Sequence, residues 1–196
     1  INPRGDSSPS GSLSPFFLME TATMLQTKLY TGSDFPELLD ETSGKFIKLP
    51  EKFSLEGFEP SQNPMVPMVH KDYVFTKSLF RDVALFLARP HGHALWLAGP
   101  TGSGKTSVIT ELAGRLNYPV YSITCNSRME FDDLVGRPMV ISKPGEQPSV
   151  KFIYGPLARA MKSGGILLLN EVDLCDPAQL SGLNDVLEGR PLTITQ

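Results

Sequence analysis

Two short stretches of this sequence carry residue types that can handle phosphate. The first, GPTGSGKT, runs from Gly99 to Thr106 and fills every fixed position of the spacing GxxxxGK[ST]. Glycines 99, 102 and 104 let the backbone turn tightly and aim its N–H groups inward at phosphate oxygens. Lys105 would reach the β and γ phosphates, and the Thr106 hydroxyl would coordinate Mg²⁺. Pro100, Thr101 and Ser103 supply the remaining loop geometry, and Ser107 follows Thr106, so Gly99–Ser107 is the expected nucleotide-binding stretch. The second stretch is ILLLNEVD, residues 166–173, in which four aliphatic residues run into Asn170, Glu171 and Asp173. A strand that delivers polar groups opposite a phosphate loop can complete a metal–nucleotide site. Glu171 would then be the carboxylate that activates water, and Asn170 the outer-sphere magnesium residue. An amide accepts a hydrogen bond from a metal-bound water but brings no negative charge, so Asn170 weakens the metal side of such a site.

The elements needed to position these residues can be read from periodicity. HALWLAG (93–99) reads as a buried strand feeding the glycine loop, with Trp96 mid-strand in the core. GKTSVITELAGRLN (104–117) reads as the amphipathic helix that the loop opens, its N-terminus adding partial positive charge to the anion site. PVYSITC (119–125) is a second strand and EFDDLVG (130–136) a short helix ended by glycine, with Asp132 and Asp133 on its cap and exposed face. PMVIS and SVKFIY, separated by KPGEQP, predict a β-hairpin. GPLARAMKSG is a helix and ILLLN a third strand. DPAQLSGLNDVLEG is a helix capped by Asp176 with Pro177 in its first turn, and PLTIT is a last short strand. Strands alternating with helices, and strands aliphatic throughout, predict a parallel sheet covered on both faces.

Upstream the texture differs. Residues 1–15 are rich in Ser, Pro and Gly and predict a disordered tail; residues 16–70 predict an extension and linker; residues 71–196 hold the α/β core. Within the extension, SDFPELLDE predicts a short helix, GKFIKLPEKF a strand or hairpin, and PSQNPMVPMVH (60–70) an extended segment wrapping a surface. TKSLFRDVALFLARP predicts a helix stopped by Pro90. The first residue is Ile1, ahead of Met19 and Met24, so the opening stretch reads as a translated upstream segment, a cloning scar or part of an incomplete gene.

The bulk numbers narrow the classes. The chain has 196 residues, 40% hydrophobic and 20% charged, which suits a soluble globular protein. A net charge of −3 supplies no overall basic field, so nucleic acid is not implied as a partner. No apolar run reaches the ~18–20 residues of a membrane helix, and LSPFFLM (13–19) has no basic stretch before it beyond Arg4 and no small-x-small cleavage site after it, which argues against a signal peptide. Cys125 and Cys175 lie 50 positions apart without metal-ligand spacing, which points to buried thiols in a reducing cytoplasm. His70, His91 and His93 have no such spacing either.

LAGPTGSGKT, NYPVYSITCNSRMEFDDLVG, FIYGPLARAMKSGGILLLNEVD and LNDVLEGR together resemble the AAA+ ATPases of the MoxR-related, helix-2-insert type. That group includes the MoxR-like chaperones, the CbbQ and NorQ activators, the dynein-related midasin modules and the small ATPase subunit of aerobic cobaltochelatase. The resemblance covers residues 72–196. It implies a P-loop NTPase fold, a three-layer α/β/α large subdomain incomplete at its C-terminal end, with the hairpin at 138–154 as the insert. It further implies ATP and Mg²⁺ as ligands, a homo-oligomeric ring (a hexamer), and remodelling of a client protein that the sequence does not name. The family's sensor strand, arginine finger and helical lid would follow Gln196. Arg190 comes too early to be the finger and reads as a solvated residue, with pairing to Glu188 across an interface as the other option. Two other readings remain: a GTP-dependent motor of the restriction type, and a truncated scaffold that binds nucleotide without hydrolysing it.

Overall fold

A computed structural model describes residues 26–89, 94–142, 145 and 147–194. The tail at 1–15, the LSPFFLM stretch, His91 and His93 lie outside the described residues.

The N-terminal part is built from two small antiparallel pairs. β1 (Thr27–Thr31) pairs with β4 (Ser54–Phe58), and β2 (Leu38–Asp40) with β3 (Lys45–Ile47). Alternation along β1 and β4 turns Tyr30 and Leu55 inward and leaves Leu29 and Glu56 facing solvent. The helix expected from SDFPELLDE does not form. Gly32–Asp34 make one 3₁₀ turn in which Asp34 accepts from the Thr31 N–H at 2.7 Å, and the chain beyond Pro36 is recruited into β2. Tertiary pairing overrides local preference here, because Leu38 is almost fully buried and the Leu39 N–H donates to the Phe75 carbonyl at 2.8 Å.

The helix predicted ahead of Pro90 is α1 (Lys77–Ala88), with Phe80, Val83 and Ala84 on its buried face. Phe80 meets Phe35 and Phe75 edge-on, with ring centroids 5.6 and 5.3 Å away. The helix after the glycine loop is α2 (Lys105–Arg115), and Val108, Ile109, Leu112 and Ala113 form its core stripe. β4 runs so close to the end of α2 that the Phe58 N–H donates to the Leu116 carbonyl at 2.8 Å. A Cβ at Gly57 would stand 2.4 Å from that same oxygen, so only glycine fits.

The second half carries β5 (Val120–Thr124), α3 (Phe131–Val135), β6 (Gly136–Ile141), β7 (Ser149–Tyr154), α4 (Pro156–Ser163), β8 (Ile166–Asn170), α5 (Pro177–Leu180) and α6 (Leu183–Leu187). β5 and β8 are parallel, in a register that sets Thr124 beside Asn170. β6 and β7 form the predicted antiparallel hairpin between α3 and α4. Two apolar clusters result. One joins the N-terminal strands to α1 and α2, and the other gathers Cys125, Met129, Leu134, Leu157 and Cys175 around α3 and α4.

Five further expectations need correction. HALWLAG is not a buried strand: residues 94–98 lack ladder partners among the described residues, with Leu95 and Leu97 turned toward the core and Trp96 out. Trp96 is 69% exposed, so it is no core residue. The parallel sheet has two strands among the described residues, and every residue of β8 is only half-buried, not sealed on both faces. The single helix expected over DPAQLSGLNDVLEG breaks into α5 and α6 at Ser181–Gly182, where the Phe131 ring presses so closely that a Cβ on Gly182 would lie 2.6 Å from it. Residues 191–194 of the expected last strand have no regular structure. Asp176 does cap α5, accepting from the Ala178 N–H at 2.9 Å, with Pro177 in the first turn.

Candidate functional site

The glycine loop sits where the extended segment 94–98 turns into α2. Gly99, Gly102 and Gly104 have φ of 158°, 80° and 83°, all in the region that side chains avoid. Gly104 is the N-cap of α2, and no side chain caps the helix, so the first N–H groups of α2 are left for an anion. The Ser103 N–H donates to the Pro100 carbonyl at 3.3 Å and tightens the turn. Pro100, Thr101, Gly102, Ser103, Thr106 and Ser107 are exposed, as a loop that meets a solute must be. Lys105 is half-buried and folds back over the loop, its Nζ donating to the carbonyls of Gly99 at 2.8 Å and Pro100 at 2.9 Å.

The decisive contact joins the two motifs. The Thr106 hydroxyl donates to the Asn170 side-chain oxygen at 3.1 Å, across 64 residues of sequence. Parallel pairing of β5 with β8 sets this reach, because it ends β8 level with Thr124, and the Cys125 N–H fixes the Asn170 carbonyl at 2.8 Å. Glu171 follows at once with φ 52° and ψ 44°, a left-handed conformation uncommon for a residue with a side chain. Glu171 is exposed, and among the described residues its carboxylate has no hydrogen-bond or ion-pair partner. The Leu174 N–H donates to the Glu171 carbonyl at 3.0 Å, closing a 3₁₀ turn over Val172–Leu174. Thr106, Asn170, Lys105 and Glu171 are thus gathered at one end of α2 and β8.

Among the described residues no group of three His, Cys, Asp or Glu side chains is placed to hold a metal by itself. The donor set at Thr106 and Asn170 fits a hard cation that keeps waters and takes most remaining ligands from a bound phosphate, which is how magnesium is commonly held.

One supporting residue escaped the sequence reading. Glu111, on α2, is 2% exposed and accepts from the His70 N–H at 3.1 Å, contacts the His70 imidazole, and pairs with Arg115 at 3.5 Å. His70 ends the proline-rich segment 60–70, which straps the helix. The Val120 N–H donates to the Met65 carbonyl at 2.8 Å, and a Cβ on Gly114 would strike the Pro67 carbonyl at 2.6 Å. Burial pulls the Arg115 guanidinium below its usual range, and the Glu111 charge pulls it back up. The signal was available, since an acid at position 111 falls within the apolar stripe of Val108, Leu112 and Leu116. Elsewhere, Asp133 accepts from the Glu130 N–H at 3.0 Å and contacts Arg137, in keeping with a capping role. Arg190 pairs with Asp185 at 3.0 Å and Glu188 at 2.7 Å within its own chain.

Comparison with known proteins places these observations. The family AAA domain (dynein-related subfamily) matches residues 94–196. Uncharacterized protein SH1500 of Staphylococcus haemolyticus is 33% identical over 125 residues, 63% of this chain and 46% of that protein. Uncharacterized protein YojN of Bacillus subtilis is 34% identical over 116 residues, 59% of this chain and 37% of that protein. Uncharacterized protein SSP1341 of Staphylococcus saprophyticus is 36% identical over 94 residues, 48% of this chain and 36% of that protein. The chain therefore spans less than half the length of these relatives. No helix among the described residues is long and apolar enough to cross a membrane.

Proposed function

The chain belongs to the dynein-related AAA family, and from that premise we propose that it binds Mg–ATP at the Gly99–Ser107 loop and hydrolyses it with Glu171. The observation that carries this reading is the 3.1 Å bond between Thr106 and Asn170, which brings the phosphate loop and the strand end to one point. Loop N–H groups and the N-terminus of α2 would cradle the phosphates, and Lys105 would leave the Gly99 and Pro100 carbonyls to meet the β and γ oxygens. Thr106 and Asn170 would hold Mg²⁺, which when bound neutralises charge on the phosphate oxygens. Asn170 would do so through a metal-bound water, as an acceptor without charge. Glu171 lies beyond Asn170, its carboxylate unengaged among the described residues, where it would accept a proton from water held against the γ phosphate.

The MoxR-type reading goes further and includes partner remodelling by a ring of subunits. Its support is the β6–β7 hairpin between α3 and α4, where a helix-2 insert belongs. Val140 and Val150 face each other across the hairpin at 68% and 69% exposure, an exposed apolar pair suited to a protein client. The test uses two variants. Lys105→Ala should abolish nucleotide binding in calorimetry, whereas Glu171→Gln should keep binding and lose phosphate release. Retained binding by Lys105→Ala would show that the nucleotide sits elsewhere.

A further inference from the structure

Two thiols lie beside the Glu171 turn. Cys125 directly follows β5, and its N–H is held by Asn170; Cys175 closes the 3₁₀ turn that begins at Glu171, its N–H donating to the Val172 carbonyl at 3.2 Å. Parallel pairing brings these two strand ends together although the cysteines are 50 positions apart. Both are free thiols at 1% and 5% exposure, packed in the same apolar cluster. They are not equally placed. Cys175 lines a cavity of about 380 Å³ with Trp96, Val172, Pro177 and Leu180, whereas Cys125 does not line it.

We infer that Cys125 and Cys175 form an oxidation site that closes into an intramolecular disulfide when a hydroperoxide enters the cavity at Trp96. The Cys175 sulfur attacks the peroxide O–O bond, gaining an S–O bond as the peroxide leaves as an alcohol or, from hydrogen peroxide, as water. The Cys125 sulfur then attacks Cys175: the S–S bond forms, the S–O bond breaks, and the departing hydroxide takes the Cys125 proton as water. The two thiols lose two electrons and two protons in all, and the peroxide receives them. Cys125, 1% exposed and absent from the cavity lining, is the second nucleophile. The bond would tie the far end of the Glu171 turn to the end of β5, so oxidation restrains the segment that presents Glu171. This inference rests on the position of the thiols and holds whether or not the chain hydrolyses nucleotide.

The full chain is oxidised with hydrogen peroxide, denatured, treated with iodoacetamide and weighed by mass spectrometry. The expected product is a monomer lighter by two hydrogens, carrying no alkyl adduct and restored by dithiothreitol. Its melting temperature should rise on the order of 10 °C, as for a cross-link closing a loop of this length. Hydrogen exchange at Leu174 and Cys175 should slow in the oxidised form. Cys125→Ser and Cys175→Ser should each abolish the cross-link; Cys125→Ala and Cys175→Ala provide the same test with small apolar side chains should the serine variants fail to fold. Full alkylation after peroxide, a bond only between chains, oxygen added to Cys175 beside a free Cys125, or unchanged exchange at the turn would overturn the inference.

Discussion

Glycine at position 171 should give a more stable fold than alanine, although both variants lack the carboxylate. The native φ of 52° and ψ of 44° place Glu171 in the left-handed region, where a Cβ crowds its own backbone at a cost of about 1–2 kcal/mol. At an ordinary helical or extended position glycine is worse than alanine by about 0.5–1 kcal/mol, because it loses more freedom on folding. Here both effects act with opposite sign, and the steric one is larger. The difference leaves glycine ahead by roughly 0.5–1 kcal/mol. Side-chain truncation adds little to either variant, since Glu171 is exposed and its carboxylate has no partner among the described residues. For a chain of this size the advantage corresponds to about 2 °C in melting temperature, or about 0.4 M in urea midpoint at an ordinary m-value. Urea unfolding of Glu171→Gly and Glu171→Ala, fitted with a common m-value, measures it directly. The same pair at Arg81 on the exposed face of α1 is the control, and there alanine should win by about 1 kcal/mol. Alanine matching or exceeding glycine at 171 would refute the assigned backbone geometry. A glycine advantage together with lost turnover would mark the glutamate as kept for chemistry at a cost to stability, as strained residues at working sites often are.

Asn170→Asp should restore a negative charge beside Thr106 and raise Mg²⁺-dependent nucleotide affinity several-fold, in line with the ~1.5–3 kcal/mol of a charged hydrogen bond less its desolvation; calorimetry across Mg²⁺ concentrations reads it. Glu111→Ala should cost about 3 kcal/mol, because Arg115, 14% exposed at its side chain, loses its ionic partner and the strap at 60–70 loses its anchor. Chemical unfolding gives the magnitude, and faster proteolytic cleavage within 60–70 gives the location. The carboxyls of Asp40 and Glu41 are both held below their usual range, Asp40 by Lys77 and the backbone N–H groups of Thr42 and Ser43, Glu41 by the Ser78 hydroxyl. A folded-state value below the unfolded one gives stability that is present above the unfolded value, near pH 4, and lost as pH falls through the folded one. Asp40→Asn should therefore flatten the acid limb of a melting-temperature profile below about pH 4 and leave its slope at neutral pH unchanged.

The backbone of the glycine loop was more legible than the fold around it. The turn at Gly99–Thr106 could be read because its glycines answer a local need, a positive φ at Gly102 and Gly104. Local needs are written in adjacent residues. β5, β8 and the hairpin were equally legible, since aliphatic runs bounded by glycine and proline have few other uses. Errors came where a segment's state depends on a distant neighbour. Leu38–Asp40 became a strand because β3 and Phe75 offered it partners, and nothing in SDFPELLDE announces them. Trp96 looked like core because its run is apolar. Alternation turns Leu95 and Leu97 inward and leaves the indole at the mouth of the cavity that Cys175 lines. Glu111 shows the same limit from the polar side, as its burial makes sense only once His70 is known to lie over α2.

These misses are connected. The strap that buries Glu111 lies over the C-terminal half of α2, and the N-terminal half of that helix presents Lys105 and Thr106. α2 touches the strap at Glu111, Gly114 and Arg115 and meets β8 through Thr106 and Asn170. A single rigid helix of 11 residues therefore links residues 60–70 to the phosphate loop. Loosening the strap should then be felt first as looser seating of Thr106 against Asn170, before any loss of the loop's own geometry. The loop is held by its glycine conformations and the Ser103–Pro100 turn, none of which depends on the strap.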